Sequence, residues 1–236
     1  MRPERGRYFQ LASGDPYASL RVGLVSQWKM VAASGADEPD TIGGFTAVAS
    51  GSPPPASGTL TGSVKSRVFV DATSAYLYVD PSTQYNLMPI TIRIWFKTSD
   101  ASGADLLKRY AGGNGWRLFI NNVSGDLGFY YYASGNFIDG GYPPQVVNDG
   151  ALHHVVIVVD ATGATYYLDG VLVTGPVAWT GTPTPCTYAG PLNFGGPGAG
   201  GPTISLDGQI GPTIIVNGAW SAAQVALDYQ AGPLLL

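Results

Sequence analysis

Two marked turns within residues 149–173 constrain the fold of this chain more than any other feature. The segment reads DGALHHVVIVVDATGATYYLDGVLV, and its run at 152–160 is dominated by β-branched residues, as is typical of a largely buried strand. Residues 161–164 reverse the chain, and the pair Asp169-Gly170 readily takes the positive φ values of a two-residue hairpin turn. The segment therefore predicts a three-stranded antiparallel meander, with strands at 152–160, 165–168 and 171–173.

The composition favours β structure along the whole chain. Among 236 residues, 33 Gly and 18 Pro supply turn residues, whereas the helix formers Glu and Lys are scarce. All-β sandwiches of this length often form one domain. Cys186 is the single cysteine, which excludes an intrachain disulfide and any multi-cysteine metal site. Charged residues are 12% of the chain and the net charge is −4, so we expect no nucleic-acid partner.

The sequence predicts no insertion into a membrane, because no apolar run approaches the roughly 20 residues that span a bilayer. The first 22 residues lack the apolar core of a secretory signal. Two locations stay open. Either the protein is made and assembled in the cytoplasm, which the retained Met1 favours, or a signal has been removed and the protein acts outside the cell.

Several segments resemble the laminin-G-like family, which is also called concanavalin A-like. The meander is similar to the family pattern DG-x-WHHV followed by LYVDG, and further similar wording occurs as GLVSQWKM at 23–30, ITIRIWFK at 90–97 and LDGQIG at 206–211. The resemblance covers residues 23–231 and implies an all-β, two-sheet antiparallel jelly-roll sandwich. It implies little about activity, because this sandwich hosts lectins, adhesion modules, glycosidases and structural proteins.

Period-two alternation predicts which side chains of the sandwich face its core. In the strand predicted at 90–97, Ile90, Ile92, Ile94 and Phe96 share one face, and this face is expected to be core. Ser221 followed by Gln224 predicts a capping box and one short C-terminal helix, which Gly232 ends. Further strands are predicted at 67–71, 76–79, 105–108, 116–120, 127–132, 192–194 and 213–216, and residues 49–63 are predicted to form a loop.

The two ends of the chain predict contacts with other protein subunits. Residues 1–22 are interpreted as a basic N-terminal arm without strand periodicity, or alternatively as a disordered leader, and residues 23–236 as the jelly-roll domain. The C-terminal run PLLL would be unusual to leave in water. The predicted assembly contacts are Arg2, Arg5, Arg7, Arg21, Leu235 and Leu236.

The sequence does not contain the residue patterns of the relevant enzymes. The resemblance implies that a glucanase of this class would carry Glu-x-Asp-x-x-Glu on one strand, but the chain has only Glu4 and Glu38. His153 and His154 are adjacent strand residues on opposite faces, so they cannot chelate one ion together. One imidazole is expected in or beside the core with a hydrogen bond, and the other near the surface. We expect no enzymatic activity.

Calcium is the metal that the resemblance implies, because many relatives bind it through loop carboxylates and carbonyls. The candidate ligands are Asp37, Glu38, Asp40 and Asp71. Against calcium, Gly211 stands where the closing strand of the family usually has Asp. The alternative is that these acids are solvated or form turns. No cofactor is predicted to be required.

Aromatic residues offer a candidate binding site. Residues 129–132 read FYYY, so two of the four rings are expected to point away from the core. An exposed ring can stack on a pyranose while Asn or Asp grips its hydroxyls, and the same rings would suit a protein interface. The predicted ligand-binding residues are Tyr131, Asn136, Asp139, Tyr142 and Trp179.

These observations predict a non-enzymatic structural or binding module. The first hypothesis is a surface-decorating or assembly protein of a larger particle, such as a phage virion, that forms oligomers with other protein subunits at the particle surface. The alternative is a carbohydrate-binding or adhesion module, with or without calcium dependence, at the cell surface or outside the cell.

Overall fold

The computed structural model describes residues 15–139, 145–196 and 205–233. Within these residues, two antiparallel sheets pack face to face and one α-helix follows them. The eight-stranded sheet contains β1 (Leu24–Trp28), β3 (Ala56–Thr61), β4 (Val64–Phe69), β6 (Ile90–Thr98), β11 (Leu152–Asp160), β12 (Gly163–Leu168), β13 (Val171–Val177) and β15 (Gly208–Val216). The seven-stranded sheet contains β2 (Ala47–Ser50), β5 (Tyr76–Val79), β7 (Ala104–Ala111), β8 (Asn114–Ile120), β9 (Leu127–Ala133), β10 (Asn136–Asp139) and β14 (Leu192–Phe194). The predicted two-sheet jelly-roll sandwich is confirmed.

The order of the strands explains how the sheets are built. The eight-stranded sheet runs β13-β12-β11-β6-β15-β4-β3, and β1 pairs with β15 outside this path. The seven-stranded sheet runs β10-β9-β8-β7-β14-β5-β2. Helix α1 (Ala222–Ala231) comes after the last strand. Among the described residues, no helix is long and apolar enough to span a bilayer.

The main core lies between the two sheets. The predicted inward face of β6, from Ile90 to Phe96, packs there together with Trp28, Trp116 and Phe194. Each fully buried large apolar side chain stabilises the fold by about 1.5–3 kcal/mol. Packing of the two inner faces therefore supplies the principal stabilisation.

A second core covers the outer face of the eight-stranded sheet. Val156 and Ile214 of this sheet pack there against Trp220 and Val225, which belong to the C-terminal segment, and against Leu20. Beside them, the guanidinium of Arg93 pairs with the carboxylate of Asp228 on α1, with both side chains buried. Strand β6 is consequently buried on both faces.

The meander agrees with its prediction. Strand β11 has the predicted bounds, while β12 begins two residues earlier and β13 continues to Val177. Asp169 and Gly170 have φ values of 50° and 78°, as a type I′ turn requires. The capping box is also confirmed, because Ser221 Oγ accepts from the Gln224 amide and the Gln224 side chain accepts from the Ser221 amide.

One prediction about the strands is wrong. The loop predicted at 49–63 contains β3, a sheet-edge strand in which Leu60 is the one residue classed as buried, so no apolar alternation marks it. The histidine prediction agrees with the structure. His153 and His154 lie on opposite faces. His154 is fully buried and hydrogen-bonded to Asp228, whereas the His153 ring contacts the exposed Asp149.

The described part of the N-terminal arm packs on its own domain. Ala18–Arg21 forms a short 3-10 turn, and Leu20 of this turn is fully buried in the second core. Arg21 pairs with Asp15 of the same segment, which does not support the predicted contact of Arg21 with another subunit. The other predicted assembly contacts, Arg2, Arg5, Arg7, Leu235 and Leu236, lie outside the described residues.

Candidate functional site

Strand alternation gives the seven-stranded sheet an outer face rich in tyrosine. On β9, Phe129 and Tyr131 point into the main core, and Tyr130 and Tyr132 point away from it. This agrees with the prediction that two of the four rings leave the core. We name the outer surface of the seven-stranded sheet the tyrosine face. It carries Tyr76, Tyr78, Asp105, Lys108, Tyr110, Arg117, Phe119, Tyr130, Tyr132, Phe137, Asp139 and Asn193.

The strand register aligns six of these side chains in one row across the sheet. Neighbouring strands pair Tyr78 with Asn193, Asn193 with Lys108, Lys108 with Arg117, Arg117 with Tyr130 and Tyr130 with Asp139. Adjacent strands lie about 4.8 Å apart. The row therefore places polar, charged and aromatic groups at regular intervals on a rigid surface.

Three tyrosines and one phenylalanine form an aromatic cluster at one side of this face. The ring centroid of Tyr132 lies 5.2 Å from that of Phe137, 5.4 Å from Tyr110 and 6.0 Å from Tyr130. Gly115 stands between Tyr110 and Tyr132 in the register, so no side chain separates their rings. All four rings are partly exposed. Together they form an apolar platform that reaches solvent.

Three charged side chains lie next to the aromatic cluster. Asp105 is fully buried, with one carboxylate oxygen on Arg117 Nε and the other 3.9 Å from Lys108 Nζ. Burial raises the pKa of Asp105, and burial lowers the pKa of Lys108, because in each case desolvation disfavours the charged form. The guanidinium of Arg117 lies 4.2 Å above the ring of Phe119. We name these three residues the charged centre.

The predicted ligand-binding residues are distributed differently from the expectation. Asp139 is exposed on the tyrosine face. Tyr131 is fully buried, where its hydroxyl donates to Leu87 O and accepts from the Cys186 amide, so its role as an exposed sugar-stacking ring was wrong. Trp179 is partly buried, packs edge-on against Tyr131 and donates to Asp160 O. Asn136 accepts from the Thr182 amide. Tyr142 lies outside the described residues.

The predicted calcium ligands hold the backbone near β1. The carboxylate of Glu38 is buried and accepts from the Val31 and Ala32 amides. Asp40 accepts four backbone N–H groups, and Asp37 accepts one. Asp71 is exposed at the start of a short 3-10 turn. These contacts match the alternative interpretation as turn-forming acids.

Metal binding by these four acids finds no support in their contacts. N–H donors occupy oxygens of Asp37, Glu38 and Asp40. No three His, Cys, Asp or Glu side chains come together as a possible metal site within residues 15–139, 145–196 and 205–233. Calcium therefore stays a prediction.

A second candidate site is a cavity of about 310 Å³ at one end of the eight-stranded sheet, which is lined by polar and charged side chains. Its lining includes Lys97, Asp100, Asp207 and Gln209. The Asp100 carboxylate accepts from the Ser102 and Asp207 amides, and the Gln209 amide oxygen accepts from the Ser66 hydroxyl. Because these oxygens already accept hydrogen bonds from the protein itself, the tyrosine face is the stronger candidate site.

Three comparisons with known proteins bear on the fold. The laminin G family model described as the concanavalin A-like lectin/glucanases superfamily matches residues 71–226. No curated protein matches the sequence. Solved structures do match. A receptor-binding domain is 13% identical with a TM-score of 0.66, and the match covers 92% of this chain and 53% of that one.

Two further solved structures carry carbohydrate in their descriptions. Domain 4 of AbnA, an extracellular arabinanase of Geobacillus stearothermophilus in complex with arabinotriose, is 15% identical with a TM-score of 0.64, over 86% of this chain and 96% of that one. A botulinum neurotoxin type C structure, described by cell entry that depends on two ganglioside molecules, is 14% identical with a TM-score of 0.64, over 91% and 52%. The chain spans about half the length of this neurotoxin and of the receptor-binding chain. At these identities the likeness shows the fold alone.

Proposed function

Because the chain belongs to the concanavalin A-like lectin/glucanases superfamily, we propose that it binds carbohydrate through the tyrosine face and performs no chemistry on it. The observation that carries this proposal is the aromatic cluster of Tyr110, Tyr130, Tyr132 and Phe137, which is partly exposed beside charged hydrogen-bonding groups. A flat apolar ring covers the C–H face of a sugar, and the neighbouring polar groups bind its hydroxyls.

The aromatic cluster is rigid, which favours the binding of a sugar, because a sugar offers only a small apolar surface to the rings. Cross-strand pairing fixes the backbone of β8, β9 and β10, and the rings hold one another in place. Side chains that are already ordered lose little conformational entropy when a ligand binds. The arabinanase domain solved with arabinotriose and the ganglioside-dependent neurotoxin provide further support, since both share this fold.

The positions of the carboxylates support binding without hydrolysis. Asp105 and Asp139 are on β7 and β10, three strands apart, which separates their Cα atoms by about 14 Å or more. Glycosidases need two carboxyl groups about 5–10 Å apart. Asp105 is moreover buried against Arg117 and Lys108. This pair is therefore unsuited to flank a glycosidic bond.

Attachment to a larger particle remains a hypothesis from the sequence. A module carried on a particle can also bind sugar, so the two roles are compatible. The residues that motivated attachment lie outside the described part of the chain, apart from Arg21, which pairs with Asp15. Co-purification of the native protein with a large particle would support this role.

A glycan array with matched tyrosine variants tests the proposed function. Tyr132→Ala should abolish binding to every glycan on the array that the unmodified protein binds. The control is Tyr229→Ala, because Tyr229 stacks on Trp95 with the same 12° angle between ring planes as Tyr132 on Phe137, but on the other sheet. Tyr229→Ala should keep binding. Arrays run with calcium and with a chelator show whether calcium contributes.

The array also has an outcome that contradicts the proposal. If no glycan is retained under either condition, the tyrosine face is not a carbohydrate site. If both variants bind as the unmodified protein does, carbohydrate binds elsewhere on the molecule.

A further inference from the structure

We propose that the carbohydrate bound by the tyrosine face carries a carboxylate and that Arg117 receives this carboxylate. The inference rests on the proposed function and deepens it, because it names the class of glycan as acidic, such as one containing a uronic or sialic acid.

The charged centre has an excess of positive charge. It contains two cationic side chains, Lys108 and Arg117, and one carboxylate, Asp105, which both of them contact. Asp105 is fully buried and Lys108 almost so, whereas Arg117 is partly exposed. Cationic side chains therefore outnumber carboxylates within the charged centre, and Arg117 is the member that reaches solvent.

Arg117 has donors that the described residues do not use. Its Nε contacts Asp105, and its guanidinium carbon lies over the ring of Phe119. Within the described ranges, no acceptor lies at hydrogen-bonding distance from Nη1 or Nη2 of Arg117. A guanidinium has five N–H donors in a planar fork that fits a carboxylate through two parallel hydrogen bonds. Arg117 is thus held in position with its outer donors available to a ligand.

The row across the sheet gives such a ligand a direction. Arg117 and Asp139 are the register neighbours of Tyr130, one on each side, at about 4.8 Å per strand. A sugar ring that lies on Tyr130 meets a positive charge at one end and a negative charge at the other. Its carboxylate would be attracted to Arg117 and repelled by Asp139, while Asp139 can accept hydrogen bonds from hydroxyls at the opposite end.

Calorimetric titration with paired oligosaccharides tests the inference. The probes are sialyllactose, an oligogalacturonate and a hyaluronan oligosaccharide, each compared with its own carboxyl-reduced form, in which the carboxylate has become a neutral alcohol. At least one native probe should bind about tenfold or more tightly than its reduced form, since hydrogen bonds to charged groups contribute about 1.5–3 kcal/mol. Rising salt should weaken the native probe selectively.

Two variants assign the effect to Arg117. Arg117→Gln should make the native and reduced probes bind equally, and Arg117→Lys should restore part of the difference, because it keeps a cation beside Asp105. Thermal melting of both variants checks that they fold. The comparison of native with reduced probes on the unmodified protein needs no variant, so it decides whether the bound glycan is acidic even if Arg117→Gln does not fold. In that case Arg117→Lys, which should weaken the preference, tests the assignment to Arg117.

The outcomes separate the inference from the proposed function. If native and reduced probes bind the unmodified protein equally well, or if neutral glycans alone bind, the inference is wrong and the proposed function stands. If the preference for the native probe survives in Arg117→Gln, another residue receives the carboxylate and the assignment is wrong. If no glycan binds to the protein at all, the proposed function fails and the inference fails with it.

Discussion

Tyr132 stacks on Phe137 across the β9–β10 pair, with ring centroids 5.2 Å apart and 12° between the ring planes. Its neighbour in sequence, Tyr131, points to the opposite face, where its hydroxyl donates to Leu87 O at 3.0 Å. One strand therefore supplies a core tyrosine and a surface tyrosine at consecutive positions. This parity determines which rings a ligand can reach.

Replacing these two tyrosines should have different effects on stability. Tyr131→Ala leaves a cavity in the main core and removes two hydrogen bonds, so the free energy of unfolding should fall by about 3–5 kcal/mol. Tyr132→Ala removes a cross-strand aromatic contact at the surface, which is worth about 1 kcal/mol or less. Urea denaturation of both variants measures the two changes. Equal losses would show that the face assignment of β9 is wrong.

The buried partner of Arg93 should be essential for the docking of α1. Asp228 accepts from Arg93 Nε and Nη2 at 3.0 and 3.1 Å and lies 2.7 Å from His154 Nε2. Asp228→Ala would leave a buried guanidinium unpaired, which costs about 3–5 kcal/mol. As the control, Asp80→Ala removes an exposed carboxylate and should change stability by about 0.5 kcal/mol or less. A small loss for Asp228→Ala would contradict a structural role for the pair.

The turn between β12 and β13 should require glycine for two reasons. Gly170 has a φ of 78°, and a Cβ at this position would lie 2.7 Å from the Tyr229 ring. Gly170→Val should therefore lower the melting temperature by several degrees. Gly62→Val is the matched control, because Gly62 also has a positive φ but faces open space, so it carries backbone strain alone. If Gly170→Val melted at a temperature equal to or above that of Gly62→Val, the clash with Tyr229 would not contribute to the loss of stability.

The environment of His153 predicts how stability changes with pH. Its hydrogen bond to Asp169, with that to Asp149, outweighs burial and raises the pKa of His153 above its usual value. Because the pKa is higher in the folded state, this stabilisation is fully present below the unfolded pKa of about 6.5 and is lost as pH rises through the folded pKa. His153→Gln should therefore destabilise the protein more at about pH 5.5 than at about pH 8.5.

Comparing the unmodified protein with this variant at each pH isolates His153. Burial lowers the pKa of His154, and this contribution is common to both proteins. Chemical denaturation at the two pH values gives the required differences in unfolding free energy. A loss that did not change with pH would mean that His153 gains no proton affinity on folding.

The sequence predicted the elements whose signals are local. The bounds of β11, the turn at Asp169-Gly170 and the capping box at Ser221 each depend on residues close together in the chain. Strand β3 was missed because it lies at a sheet edge and exposes most of its side chains, so its composition resembles that of a loop. Local patterning is informative where one face of an element is buried and the other is not.

The burial of both faces of β6 depends on a contact that no local sequence pattern identifies. A charged residue in an apolar strand, such as Arg93, indicates a partner, because a buried unpaired guanidinium is costly. The partner Asp228 is 135 positions away in the chain, and nothing in the residues around either position connects the two. Tertiary packing of α1 determines this contact.

The candidate site was predicted in kind and missed in detail. Alternation of FYYY required two outward rings, but aromatic residues occupy both parities, so this run by itself does not show which pair points outward. Leu127 shares the parity of Phe129 and Tyr131, and it was the signal that could have placed Tyr131 in the core. Phe137 and Arg117 join the site through strand register, which the sequence does not reveal.

Nuclear magnetic resonance mapping of the bound glycan tests the central claim most directly. Isotopically labelled protein is titrated with the glycan that it binds most strongly on the array, and the chemical shifts of backbone amides are followed across both sheets. The tyrosine face predicts that the largest changes occur at Tyr110, Arg117, Tyr130, Tyr132 and Phe137. Changes concentrated instead around Lys97 and Asp207, at the cavity of the eight-stranded sheet, would contradict the assignment of the tyrosine face as the carbohydrate site.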